Sequence, residues 1–144
     1  MQLVLIDLVP ALLTWEGRDA SGPPEPRDGA VGMVDDLFTD FRMAGITDAD
    51  HPATEVREAL ERHDLDLYFD NVGTSSTFGP RITPRVVRRV AAALGEPGTA
   101  IVVTARPHLA EALRRSGIAV VAADGPLADV PREVRRMASG RINP

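Results

Sequence analysis

The sequence contains no cysteine, which removes thiolate catalysis, zinc ribbons and disulfide staples together. It contains no lysine either: all 16 basic residues are arginine, a bias we read as high-GC bacterial coding and not as a sign of activity. Positive charge is in the minority, with 16 basic against 21 acidic side chains and a formal net charge of −5. No stripe of arginines runs free of intervening acids, so a nucleic-acid surface is not expected. The longest apolar run at the N-terminus, Met1 to Val9, has no basic segment before it and is interrupted by Asp7. It therefore reads as neither a signal peptide nor a membrane span, and a cytoplasmic protein is the expectation. Internal repeats and low-complexity tracts are absent.

What is present fits one domain of 144 residues with one core. A hydrophobic fraction of 44% against 26% charged excludes a disordered or fibrous chain. Leu3 to Leu8 is short, continuous and rich in Leu, Val and Ile, as a strand buried on both faces requires. Gly17, Gly22, Pro23, Pro24 and Pro26 punctuate the stretch from Pro10 to Pro26, which reads as a loop or small hairpin.

Beyond it, Asp28 is placed to cap a helix carrying Val31, Val34, Phe38 and Phe41, and Arg42 to Thr47 reads as a second strand. Pro52 opens a helix with Val56, Ala59, Leu60 and His63 on one face, and Leu67 to Val72 is a third strand. Thr83 and Pro84 form an N-cap and first-turn pair before Val86, Val87, Val90 and Leu94, with Gly95 closing the helix. Thr99 to Thr104 is a fourth strand, Pro107 to Gly117 a helix, Ile118 to Ala122 a fifth strand, and Pro131 to Met137 a short last helix. Strand and helix alternate, which predicts an α/β, Rossmann-like three-layer sandwich around a central, mostly parallel five-stranded sheet. Ligands bind such sheets outside the carboxyl ends of the strands. The candidate positions are therefore Asp7 to Val9, Thr47 and Asp48, Gly73 to Ser76, Thr104 to Arg106, and Ala123 and Asp124.

These residues resemble a known family. "LVLIDLVPALL" is similar to the first motif of the haloacid dehalogenase-like (HAD) hydrolases, with Asp7 at the nucleophile position. "FRMAGITDADHPATEVREALERHDL" resembles the second motif, with Thr47 at its hydroxyl position. "LYFDNVGTSSTFGPRITPRVVRRVAAALG" resembles the stretch into the third, where Arg81 falls at the expected lysine, and "AIVVTARPHLAEALRRSGI" resembles the fourth motif and its helix. The likeness spans roughly residues 2 to 122 and rests on the order and spacing of several weak motifs. It implies catalytic positions at Asp7, Thr47 and Arg81, and ligand-binding positions at Asp48, Thr104 and Arg106.

The pattern is broken at the positions that carry the family's chemistry. Phosphatases of that family protonate the leaving group with a second aspartate, where this chain has Val9. They hold magnesium partly through acids of the fourth motif, which here reads Thr104, Ala105, Arg106. Pro10 stands where a glycine is usual, and Asp48 where asparagine is more frequent. A missing general acid costs about 10²- to 10⁴-fold, and a missing cation several kcal/mol more. The expectation is a degenerate, capless HAD-like domain without cofactor that binds a ligand, a partner protein or a second copy. Magnesium belongs only to the competing reading, a hydrolase that still uses Asp7 as covalent nucleophile, as a phosphatase or as a metal-independent dehalogenase or esterase. In that case the water-activating base would be Glu111, Asp48 or Asp124.

Residues 10–27 are too few for a helical cap and at most form a flap. The carboxyl edge near Trp15, the single tryptophan, would then be open to a partner, since aromatic anchors are enriched at interfaces. His51, His63 and His108 lack metal-ligand spacing and receive no role.

Overall fold

The computed structural model describes residues 1–15, 23–48, 52–95 and 98–142. Gly17, Gly22 and His51 lie outside the described residues. In chain order the elements are β1 (Leu3–Asp7), α1 (Leu8–Ala11), β2 (Leu13–Thr14), β3 (Glu25–Pro26), α2 (Ala30–Phe38), β4 (Arg42–Ile46), α3 (Ala53–Arg62), β5 (Asn71–Gly73), α4 (Ser75–Phe78), α5 (Pro84–Ala93), β6 (Ile101–Thr104), α6 (Pro107–Arg115), β7 (Ala119–Ala122) and α7 (Val130–Ile142). Five strands form one sheet in the order β5-β4-β1-β6-β7, and every pair in it is parallel. This is the Rossmann-like α/β sandwich that the alternating pattern predicts.

β1 is buried along its whole length because it is the middle strand, with Val4 opposite Met43 on one side and Ile101 on the other. Its side chains alternate between two cores, as a pleated strand requires. Val4 and Ile6 face a cluster built with Met33, Val34 and Leu37 of α2, Val56 and Leu60 of α3, and Val134 of α7. Leu3 and Leu5 face the opposite layer, with Val86 and Val87 of α5 and Leu113 of α6. The chain changes faces after β5, so the strand order reverses between β1 and β6. The carboxyl ends of those two strands border the crevice where such folds place their sites.

Local sequence explains the helix ends. The Thr83 hydroxyl accepts the Val86 N–H at 3.2 Å, and Gly95 and Gly117 take φ of +85° and +81° beyond their helices, where a side chain would be strained. Between Pro10 and Pro26 the expected small hairpin is present as the antiparallel pair β2 and β3.

Several expectations need correction. The third strand is only Asn71–Gly73, because Asp66–Tyr68 winds into a 3₁₀ turn. The last helix runs from Val130 to Ile142 and so outlasts Met137. Gly29, not Asp28, occupies the N-cap of α2, and that helix buries Ala30, Met33, Val34 and Leu37. Val31 and Phe38 are about half exposed; Phe38 sets its ring edge-on to Tyr68 at 5.3 Å. The set 30, 33, 34, 37 follows the i, i+3, i+4, i+7 rule more closely than the set read from sequence. No helix among the described residues is long and apolar enough to cross a membrane.

Gly45 of β4 has no room for a side chain. A Cβ there would lie 2.8 and 2.9 Å from the two methyl carbons of Leu8, which is fully buried. Gly45→Ala is expected to lower stability by about 1–3 kcal/mol, read as a reduced urea midpoint at unchanged slope.

Candidate functional site

Three strand ends converge on one buried group. Asp7 is the last residue of β1 and is 1% exposed. Thr104 ends β6, and its hydroxyl donates to Asp7 Oδ2 at 2.9 Å while accepting the Arg106 N–H at 3.1 Å. Arg106, the N-cap of α6 ahead of Pro107, turns its guanidinium back over the sheet edge. Nε donates to Asp7 Oδ2 at 2.8 Å and Nη2 to Asp7 Oδ1 at 3.0 Å. The remaining nitrogen, Nη1, donates to Asp48 Oδ2 at 2.7 Å. Asp48 follows β4 and is 4% exposed, so one planar cation joins two buried carboxylates in the bidentate geometry to which arginine is suited.

Burial pushes the Asp7 carboxyl above the usual carboxylate range, the Arg106 fork and the Thr104 hydroxyl pull it partly back, and Asp48 adds to the rise. Burial works against the charge on Arg106 too, but Asp7 and Asp48 together hold the guanidinium above its ordinary value. The guanidinium thus offsets part of the cost of burying Asp7 without cancelling it.

The structure brings together Asp7, Asp48, Thr104 and Arg106 of the residues singled out in the sequence. The cation on Asp7 is Arg106 and not Arg81, which lies exposed at the turn ahead of α5. Arg85, Arg88 and Arg89 are exposed on α5, as a solvated helix face would be. Thr47 sits next to the cluster in sequence and is 1% exposed; its N–H extends the sheet ladder to the Gly73 carbonyl at 3.0 Å. Its hydroxyl has no hydrogen-bond partner among the described residues. Thr74 and Ser76 share a hydrogen bond at 2.8 Å, and the Thr74 carbonyl accepts from Thr77 and Phe78, so these hydroxyls do turn chemistry.

The other candidate bases stand apart. Glu111 is exposed and pairs with Arg115 one turn along α6, and Asp124 is exposed beyond β7. His63 pairs with Glu25 at 3.2 Å, and His108 is exposed. Val9 is buried, and the Val9–Pro10 peptide is cis. Trp15 is half-buried and packs against the core on the α2 side.

Sequence reasoning missed Arg27. Its guanidinium donates to the carbonyls of Ala11 at 3.0 Å, Ala123 at 2.6 Å and Gly125 at 3.2 Å, tying the hairpin segment to the loop after β7. Nothing in the local sequence marks it, since its acceptors are backbone groups remote in the chain. A cleft of about 420 Å³ lies beside the hairpin, lined by Thr14, Glu25, Arg27 and Gly125 among others and not by Asp7.

A magnesium ion does not fit these residues. Both Asp7 oxygens and one Asp48 oxygen are taken by Arg106, Val9 and Ala105 offer no side-chain ligand, and no group of three acidic or histidine side chains among the described residues could hold a metal.

Removing the guanidinium would take the shared cation away from two buried carboxylates. Arg106→Ala is expected to cost about 3 kcal/mol at neutral pH, the low end for breaking a buried pair because the Arg106 side chain is 29% exposed. The sign of the pH dependence follows from the Asp7 carboxyl, which burial raises. Stability contributed by a carboxyl raised in the fold is present in acid and lost as pH climbs through the folded value. The deficit of Arg106→Ala against wild type should therefore shrink on acidification, as read from urea midpoints at neutral and mildly acidic pH. Thr47→Val removes a buried hydroxyl that lacks a partner and should leave stability unchanged or raise it by up to about 1 kcal/mol.

Comparison with protein-family models finds no match, and comparison with curated proteins finds none. Solved structures do match. A Thermotoga maritima protein described as a candidate beta-phosphoglucomutase superposes with a TM-score of 0.70 at 13% identity, over 94% of this chain and 99% of that one. A haloacid dehalogenase-like family hydrolase from Xanthomonas campestris gives 0.68 at 18% identity, over 86% of this chain and 57% of the other. A HAD-superfamily hydrolase of subfamily IA from Geobacter sulfurreducens gives 0.60 at 23% identity, over 78% of this chain and 56% of its own length. The chain thus spans little more than half the length of the last two. On these superpositions, the chain has the fold of the haloacid dehalogenase-like hydrolases.

Proposed function

We propose that this HAD-fold protein does not transfer phosphoryl groups and instead binds a ligand or a partner protein at the carboxyl edge of its sheet. The observation that carries this reading is the engagement of both Asp7 oxygens by Arg106. A carboxylate nucleophile needs a free oxygen aimed at the electrophile, and a fork–fork pair withholds both. Val9 supplies no proton to a leaving group, and Ala105 supplies no oxygen to a cation. The three ionic groups Asp7, Asp48 and Arg106 carry a formal sum of −1, which disfavours a phosphate dianion. No cap covers the edge in this reading, and Trp15 together with the hairpin offers the surface that a partner or a second copy would meet.

The competing reading is a hydrolase that keeps Asp7 as covalent nucleophile. It needs Arg106 to swing away and a base to activate water. Asp48 is the acid that shares a partner with Asp7, and that partner is the same guanidinium.

Magnesium titrated by calorimetry into metal-stripped protein should give no binding isotherm. Hydrolysis of p-nitrophenyl phosphate should be equally negligible for wild type and Asp7→Asn. Magnesium binding with turnover lost in Asp7→Asn would replace this proposal with the hydrolase.

A further inference from the structure

We propose that this chain associates with copies of itself head to tail, the acidic turn that carries Leu67 on one copy docking into the arginine-rich cleft beside α5 on the next. The contact lies away from the Asp7 cluster and does not depend on the function proposed above.

Charge is sorted along the chain and between the two helical layers. Residues 53–70, which include α3, carry six acids and two arginines, whereas residues 71–95, which run through β5 into α5, carry four arginines and no acid. The net charge of −5 conceals this stripe, which corrects the expectation that acids interrupt every run of arginines. On the layer of α2, α3 and α7, Arg62 pairs with Glu58 at 3.0 Å, Arg135 with Asp36 and Asp40 at 2.7 and 2.9 Å, and Arg136 with Glu133 at 2.8 Å. On the opposite layer Arg81, Arg85, Arg88 and Arg89 are exposed, and none of them meets a carboxylate among the described residues. Exposed pairs stabilise a monomer little. Two surfaces of opposite field on one molecule instead steer copies of it toward each other.

Shape follows charge. Leu67 is 74% exposed in the 3₁₀ turn, more than any other large apolar side chain among the described residues, and Asp64 and Asp66 are exposed close to it in sequence. On the other layer a cleft of about 220 Å³ is lined by the apolar side chains of Val87, Ala91 and Ile118 and by Arg88. The Arg88 guanidinium donates to the Ser116 carbonyl, which holds it between α5 and the end of α6. An apolar knob flanked by acids fits an apolar cleft flanked by arginines. Both halves stand on the same molecule, which makes a second copy the occupant. They are different patches on opposite layers, so the contact is heterologous and leaves a free half at each end for further copies.

Sedimentation velocity of the full chain over a range of concentrations, at low and at high sodium chloride, tests this. The sedimentation coefficient of wild type should rise with concentration at low salt and return to the monomer's at high salt, where exposed charges are screened. Arg85→Glu/Arg89→Glu and Asp66→Arg/Leu67→Ser should each weaken association by about tenfold or more. All four positions are exposed, so both variants should keep the wild-type urea midpoint; if either does not fold, Arg89→Glu or Leu67→Ser alone takes its place. Mixed together, the two variants should form a one-to-one complex that does not grow, since each keeps the half that the other lacks. Variants that associate as wild type does, or a mixture that stays monomeric, overturn the inference. Wild type that stays monomeric at low salt overturns it as well, and a short DNA duplex that then binds wild type but not Arg85→Glu/Arg89→Glu assigns the arginine face to nucleic acid. None of these results touches the Asp7 cluster or the function proposed for it.

Discussion

Two buried carboxylates at the end of a parallel sheet are an electrostatic liability, and the guanidinium of Arg106 is what makes them tolerable. Burial raises Asp7, and Asp48 raises it further. Without a shared cation the sheet edge would repel itself or take up protons. The arrangement draws on three strands at once: Asp7 from β1, Asp48 from the segment after β4, and Thr104 with Arg106 from β6 and its turn. Each lies where the backbone has just left its ladder and side chains can converge. The cluster therefore reports the register of the whole sheet, since a slip of one residue in any strand would turn its contribution to the other face.

The topology accounts for why the cluster forms there and not elsewhere. β1 is the middle strand, buried on both faces by Leu, Val and Ile, so the one polar residue it carries can stand only at its end. The strand order reverses between β1 and β6, which separates the helices leaving those strands and opens the edge between them. Superposition on solved HAD-type structures at 13 to 23% identity shows that the frame outlives the details of sequence. Fold and chemistry are separable: the frame is shared, and what it does is decided by the residues at its edge.

Much of this was legible before any coordinates. The β-branched run Ile101–Thr104, the Thr83–Pro84 cap and the glycines after α5 and α6 are local signals, and they placed strands and helix ends correctly. The third strand was read too long because Leu67, Tyr68 and Phe69 look strand-like, whereas only Asn71–Gly73 reaches the sheet. Asp7, Asp48, Thr104 and Arg106 were each marked by position at a strand end. Their pairing was not, because Arg81 was the cation the motif order pointed to, and choosing between two arginines takes three-dimensional distance. Charge counting at the edge held the missing clue: two acids and one arginine already stood at adjoining strand ends. Arg27 was beyond reach, since a side chain that bonds only to distant carbonyls leaves no pattern in composition or spacing.

Arg27 carries a mechanical consequence. By joining the carbonyls of Ala11, Ala123 and Gly125, it couples the start of the hairpin to the far side of the sheet edge. Moving that side chain breaks contacts to two separate segments at once. The start of the hairpin and the loop after β7 are thereby cross-braced through one guanidinium, and groups already held in place have little conformational entropy left to lose when they are covered.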